Sequence, residues 1–371
     1  MNAKKLTVIV ICMLVITLVC GCGTSRDDAG EKSVTTLTVM KPKSMKGFYD
    51  IAKRYEQSHG GVQIRIIDMP DITNEIYKIY AASLSGGDSD IDIMLISDIW
   101  TAEFAESGYI EPLTFFTDKD KYESDAVDFF SYGGKMYAQP FALDIGALFY
   151  RKDRVEKPNG YEDIIKNAGE ETPVFEKKKD EDLLCAAIEL GENLKAAYPL
   201  FGECDTENSG DLKIKFKNGE INYYRGWSKD YTYFNDYDFE IGGNVGAVIP
   251  KTPVLGGYGL AVSSFSKNKE EAFSFISYFA DSANVREVLK REGYIPVFKE
   301  FLDDEMFADY NPCMYKINDS IARSAVRNGD VSYVKKAWEL QENIYTAICE
   351  NKEALRLEEI YKLKSMKGRG K

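Results

Sequence analysis

A chain of 371 residues with a formal charge of −13 and a single histidine excludes several functions at once. The length supports two domains with separate cores, and the acidic balance repels nucleic-acid and anionic-lipid phosphates. His59 sits in a Ser58-His59-Gly60-Gly61 turn, which leaves neither a serine-protease triad nor a His-rich zinc site, so no metal and no cofactor is expected.

The chain opens as a targeting segment: Lys4-Lys5, then an apolar run from Leu6 to Val19 at the lower edge of a membrane span. Val19-Cys20-Gly21-Cys22 resembles the lipobox of bacterial lipoproteins, in which a small residue precedes a diacylated cysteine. Cys22 fits that pattern and Cys20 does not. Residues 1–21 are therefore expected to be a lipoprotein signal peptide, and two or three acyl chains at about 0.8 kcal/mol per buried methylene would hold Cys22 stably to a membrane. Residues 22–33 read as a polar tether. Of the remaining cysteines, Cys185, Cys204, Cys313 and Cys349 have no CxxC spacing. Free buried thiols are favoured over bridges, with Cys185 and Cys349 inside apolar helical runs.

Thr36 to Met40 alternates as a strand, and Ser44 is expected to cap a helix carrying Phe48, Ile51 and Tyr55 on one stripe. Val62 to Ile67 is a second strand, Thr73 caps a helix through Leu84, and Ile91 to Ile96 is a nearly continuous apolar strand. Strand, helix, strand, helix, strand implies a parallel sheet, with ligands outside the carboxyl ends of its strands, at Met40-Lys41, Asp68 and Ser97-Asp98.

The run from Gly134 to Asp153 is too long and apolar for one ordinary strand, and it reads as two strands joined at Asp144 after a Gly133-Gly134 turn. A carboxylate there needs a hydrogen-bond partner or a water-filled space. Beyond it, Val155 to Asp182 is charged and loop-like, and a helix from Asp182 to Ala197 stops at Tyr198-Pro199. Lys213 to Tyr223 alternates around Asn218-Gly219, a hairpin signal. Aromatics then crowd the chain from Tyr223 to Phe239, which suits either edge strands or sugar stacking. The C-terminal part is helical from Ser320, and Lys364 to Lys371 reads as a disordered basic tail.

Three stretches carry a resemblance. Gly134-Lys-x-Tyr-Ala-x-Pro140, the hinge carboxylate Asp144, and the aromatic pair before Arg151-Lys152-Asp153 resemble the first inter-lobe crossing of bacterial extracellular solute-binding proteins, the family 1 type that includes maltose-binding protein. Ser97-Asp98-Ile99-Trp100 with Phe104-Ala105, Gly108 and Pro112-Leu113 resembles the same family. So does Gly256-Gly257-Tyr258-Gly259, where Tyr258 replaces the usual tryptophan, and Gly293 to Val297 resembles a third crossing. The resemblance covers nearly the whole chain after Cys22 and is weakest from Val155 to Lys213, where the second lobe looks reduced. Against the hairpin signal, the family has a helix end followed by one strand running into Gly226-Trp227.

The resemblance implies an α/β, two-lobed periplasmic-binding-protein-like fold with hinge crossings and a helical C-terminal segment. Lobe 1 would be residues 34–142 with 256–293, lobe 2 residues 143–255 with 294–364, and residues 365–371 the tail. It implies ligand contacts at Asp98, Trp100, Asp144, Trp227, Gly256, Gly257, Tyr258 and Arg323. For Trp100 a place in the core is the competing reading, and for the glycines a tight strand start; the glycine amides could otherwise donate to a hydroxyl. Arg323 and Arg327 stand where many members carry a sugar-binding arginine, and surface ion pairs explain them equally. The family often has a tryptophan where this chain has Met40, so one stacking surface is in question. The implied function is a monomeric, lipid-anchored, extracytoplasmic solute-binding protein that hands a sugar or oligosaccharide to ABC permease subunits. The alternatives are a polyamine, metal or other cationic solute, or a secreted glycoside hydrolase using Asp98 and Asp144.

Overall fold

In the computed structural model, the described residues are 34–116, 118–167, 173–203, 212–235, 241–327, 330–352, 359–360 and 364–366. Residues 1–33, with the expected signal peptide, Cys22 and expected tether, and Cys204 lie outside them. Among the described residues no helix is long and apolar enough to cross a membrane.

The first strands are β1 (Thr35–Pro42), β2 (Val62–Met69) and β3 (Ile93–Ser97), with β1 pairing parallel to both neighbours. Helices α1 (Phe48–Ser58) and α2 (Thr73–Ser85) make the crossovers. The expected cap at Ser44 is not used, because α1 starts four residues after it with Gly47 as an uncapped N-cap. The Ser44 amide instead donates to Asp71 Oδ1 at 2.9 Å. β4 (Ser131–Tyr132) and β5 (Lys135–Met136) form the hairpin turned by Gly133-Gly134.

The run around Asp144 is one continuous strand, β6 (Gln139–Arg151), buried along its whole length. The two-strand reading is corrected: the backbone does not break at Asp144, and only its partners change. β7 (Phe175–Lys177) and β8 (Phe201–Glu203) form a small parallel pair, so the stretch read as loop holds a strand as well as the helix Tyr161–Asn167. Next come α3 (Glu181–Leu190), β9 (Tyr223–Trp227), β10 (Val245–Val248) and β11 (Val254–Val262). α3 ends at Gly191, seven residues before the expected stop, and a 3-10 turn follows.

From Leu255 back to Leu260, β11 runs antiparallel to Ile145 through Gln139 of β6, and β12 (Ile295–Pro296) pairs with Leu143 and Ala142. From Gly146 on, β6 pairs with β9 and β10 instead. A single strand thus passes from one lobe of this mixed α/β fold to the other. On its far side β11 pairs antiparallel with β3, which closes the first lobe's sheet.

The hairpin signal at Asn218-Gly219 is overturned. Leu212–Lys217 is a helix burying Leu212 and Phe216, and Gly219, at φ +72°, ends it by donating its N–H to the Phe216 carbonyl. Helices α4 (Lys269–Tyr278) and α5 (Ser282–Glu292) cover the first lobe, and α6 (Tyr333–Cys349) packs against α3. β13 (Ala325–Arg327) runs parallel to β11, and β14 (Lys364–Met366) adds antiparallel to β13. The start of the basic tail is therefore a strand rather than disordered chain.

One continuous buried apolar cluster extends through both halves of the sheet. A smaller one, around Phe149, Phe216 and Phe234, covers the outer face of β6 and β9. Cys185 and Cys313 are buried free thiols as expected of a small hydrophobe, whereas Cys349, at the end of α6, is exposed.

Candidate functional site

The carboxyl end of β3, the middle of β6, the start of β11 and the N-terminus of α3 converge on a cavity of about 220 Å³. Pro42, Ile72 and Thr73 line it from the first lobe, and Trp227, Lys229 and Asp182 from the second.

Asp144 stands where β6 exchanges partners. Its Oδ1 accepts from the Ser228 hydroxyl at 2.7 Å, the Ile145 amide at 3.0 Å and the Lys229 amide at 3.3 Å. Its Oδ2 lies 3.2 Å from Lys229 Nζ but makes no hydrogen bond of good geometry. The carboxyl thus has both the partners and the space that the sequence required of it. Burial pushes its pKa above the ordinary carboxylate value, against the pull of Lys229 and Ser228. Burial alone would lower Lys229, yet Tyr294, Tyr258, Asp144 and Asp230 around it hold its pKa well above the usual lysine value. The two rings lie 5.2 and 5.8 Å from Nζ, within cation–π range. For Asp230 burial also acts upward, and Lys213 and Lys229 overcome it.

Asp98 and Arg327 form the second centre. Arg327 Nη2 donates to Asp98 Oδ1 at 2.7 Å, and Nη1 to Glu181 Oε1 at 3.2 Å. Glu181 also accepts from Tyr333 Oη at 2.6 Å and Gln341 Nε2 at 3.1 Å. One buried guanidinium thereby ties the end of β3 to the start of α3 across the cleft. A Cβ on Gly256 would stand 2.2 Å from Arg327 Nη2, so the glycine makes room for this ion pair. Gly257 donates its amide to Asp98 Oδ1 at 3.2 Å. The expectation that this amide reaches for a ligand hydroxyl is corrected, since Asp98 already occupies it.

Trp227 is half-buried at the end of β9. Its Nε1 donates to Asp182 Oδ1 at 2.6 Å, and the Arg225 guanidinium lies 4.8 Å from its ring. Asp180 caps α3 by accepting from the Asp182 and Leu183 amides. Its pKa is pushed up to about 7, first by burial and then by the charge of Asp182.

Asp98, Asp144, Trp227, Gly256, Gly257 and Tyr258 therefore line one cavity. Two expected contacts do not. Trp100 is 1% exposed and packs among Tyr77, Tyr80 and Phe104, so it serves the core. Arg323 lies outside the cavity on an exposed turn, with Pro250 O 3.5 Å from its Nη2. Glu181, Lys213, Lys229 and Asp230 were missed. Lys229-Asp230 directly after Trp227 was a usable signal, whereas Glu181 looked only like a helix start. Among the described residues no cluster of His, Cys, Asp or Glu is arranged to hold a metal ion.

A family model described as bacterial extracellular solute-binding protein matches residues 50–312. A probable ABC transporter-binding protein of Deinococcus radiodurans is 22% identical, over 82% of this chain and 86% of its own. A maltotriose-binding protein of Pyrococcus abyssi is 25% identical, over 80% and 73%. Among solved structures, MalE3 of T. maritima with maltose bound superposes with a TM-score of 0.76 at 20% identity, covering 88% of this chain and 98% of that one. A solute-binding protein of Agrobacterium radiobacter in complex with ribitol gives 0.73 at 16% identity, covering 89% and 98%. These relatives are binding proteins, and the glycosidase alternative is set aside: Asp98, one of its two carboxylates, is held by Arg327. The chain belongs to the bacterial extracellular solute-binding protein family.

Proposed function

We propose that this protein captures a carbohydrate between its lobes and delivers it to the membrane subunits of an ABC importer, working as a monomer held to the membrane by acylated Cys22. The lobes would be residues 34–142 with 256–293 and residues 143–255 with 294–364, closing about β6.

The observation that carries the reading is the state of the carboxylates around Trp227. Asp98 and Glu181 share Arg327, Asp144 faces Lys229, Asp182 pairs with Arg225, and Asp230 pairs with Lys213. Eight lining carboxylates to four lining cations leave the wall acidic, but these pairs set acceptors beside donors at its centre, which suits hydroxyls, and Trp227 offers an apolar face for a sugar ring. To reach Asp98, Asp144, Glu181, Asp182 or Asp230, a polyamine or metal ion would have to displace the internal cations. The named ligands of the relatives, maltose, maltotriose and ribitol, support the same class.

A thermal-shift panel of sugars, polyamines and divalent metals tests the reading. A ligand present at 100 Kd should stabilise by about 2.7 kcal/mol, and sugars alone are expected to do so. Stabilisation by a polyamine or metal and by no sugar would overturn it. Anchoring is tested separately by labelling with a fatty-acid analogue, which Cys22→Ser should abolish and Cys20→Ser should not.

A further inference from the structure

We infer that the solute is a single sugar ring or a polyol of the same size, not an oligosaccharide; this rests on the carbohydrate reading above and narrows it. The first observation is room. The cavity measures about 220 Å³. It lies below the roughly 300–1,000 Å³ of pockets that enclose drug-sized ligands. A disaccharide is drug-sized, and a hexose or pentitol is half that.

The second observation is the shortage of stacking faces. Arg225 already covers Trp227 at 4.8 Å, which leaves the indole at most one face for a sugar. Tyr224 is buried among Phe149, Phe216 and Phe234. From the first lobe, Met40 and Trp100 are buried in the core, and beside Pro42 and Ile72 the single ring is Tyr258, which Lys229 Nζ already faces at 5.8 Å and Tyr294 meets edge-on at 6.2 Å.

The third observation is a contact over the rim. Asn74 follows the cavity-lining Thr73, and Lys179 lies between the cavity-lining Lys178 and Asp180. Asn74 Nδ2 donates to Gln341 Oε1 at 2.9 Å and approaches Lys179 O at 3.3 Å, joining the lips of the two lobes. A second sugar unit leaving the cavity on this side would have to break both bonds.

The test is calorimetry on the full chain with two matched sets. One holds glucose, galactose, mannose, fructose, xylose, ribose, ribitol and mannitol; the other holds maltose, cellobiose, lactose and maltotriose. The tightest ligand is expected in the first set, with its disaccharide homologue at least tenfold weaker. Asn74→Ala should narrow that ratio several-fold while leaving the single-ring affinity in place. A disaccharide or trisaccharide that binds as tightly as its monomer overturns the size limit alone and leaves the carbohydrate reading standing. A silent panel in both sets overturns both. A ratio unmoved by Asn74→Ala overturns the part given to the rim contact.

Discussion

Arg327→Met removes one buried cation and leaves two buried carboxylates. The side chains of Arg327, Asp98 and Glu181 are 5%, 2% and 5% exposed. Removing one partner of such a cluster costs about 3–5 kcal/mol, because the remaining charges stay desolvated. Two features place the loss near the lower end. Asp98 keeps the Ser97 hydroxyl at 2.9 Å and the Gly257 amide at 3.2 Å, and Glu181 keeps Tyr333 and Gln341. About 3 kcal/mol is still a large share of the 5–15 kcal/mol that holds a typical protein folded. Urea unfolding at neutral pH reads it from the shift of the midpoint at constant slope. The double variant Asp98→Asn/Arg327→Met should lose less than the two single losses added together, with a coupling of about 1–3 kcal/mol. Arg327→Lys should fall between, since an ammonium cannot span both carboxylates with a planar fork. Because the cluster is buried, added salt should change the loss little. A loss under about 1 kcal/mol, or strict additivity in the double variant, would refute the claim that this guanidinium holds the two lobes' carboxylates together.

Gly256→Ala should reproduce part of the Arg327→Met loss, because its methyl takes the space of Nη2; a stability equal to that of the parent chain would contradict this. Asp144→Ala should weaken sugar binding about tenfold or more by deleting a charge-assisted acceptor of about 1.5–3 kcal/mol, and Asp144→Asn should lose less, as read by calorimetry. Trp227→Ala should weaken binding through the lost face, roughly 0.5–1.5 kcal/mol beyond its buried area. Ligand should shift the fluorescence of the parent more than that of this variant, which keeps Trp100, sealed in the core, and Trp338, packed on Tyr77 outside the cavity. Asp180 has a folded pKa of about 7 against an ordinary 3.8, so its favourable contribution is complete below about pH 4 and is lost as pH rises through 7. Asp180→Asn keeps the helix cap and removes the charge. Its melting temperature should gain on the parent progressively from pH 5 to pH 8, and a constant difference across that range would count against the shifted carboxyl.

The parallel strands β1 to β3 were legible because each is a contiguous apolar run and each helix between them an apolar stripe, signals contained within a dozen residues. The hinge was legible at Asp144 and Gly256 through residue order rather than periodicity. What periodicity misjudged was continuity. An apolar run broken by one carboxylate looks like two strands, yet β6 stays a single strand because β11 and β12 hand over to β9 and β10 with no break at Asp144. Asn218-Gly219 looked like a hairpin because alternation over so few residues cannot be told from a helix that buries Leu212 and Phe216, four apart. Trp100 was half-legible: its position was right, but the sequence could not say that Tyr77, Tyr80 and Phe104 enclose it. The Arg327 cluster was the least legible part of the site. Its partners lie 146 and 229 residues away in the chain, and no local pattern announces an ion pair over such distances.

The insertion of β11 between β3 and β6 sets an order on how the chain acquires its shape. Until residue 262 exists, β3 has an open edge, Asp98 lacks the amide of Gly257, 159 residues ahead of it, and the first lobe cannot complete its sheet. Pairings over such separations form slowly, because the entropy of closing a long loop is lost before any contact compensates for it. For a family whose members work outside the cell, this delay has a use. A polypeptide threading through a translocation pore must stay extensible, and this one cannot settle into a compact lobe from its first two hundred residues. The same delay leaves the apolar edge of β3 uncovered during passage. A holding chaperone, or rapid transit, would then matter more for yield than the stability of the finished molecule.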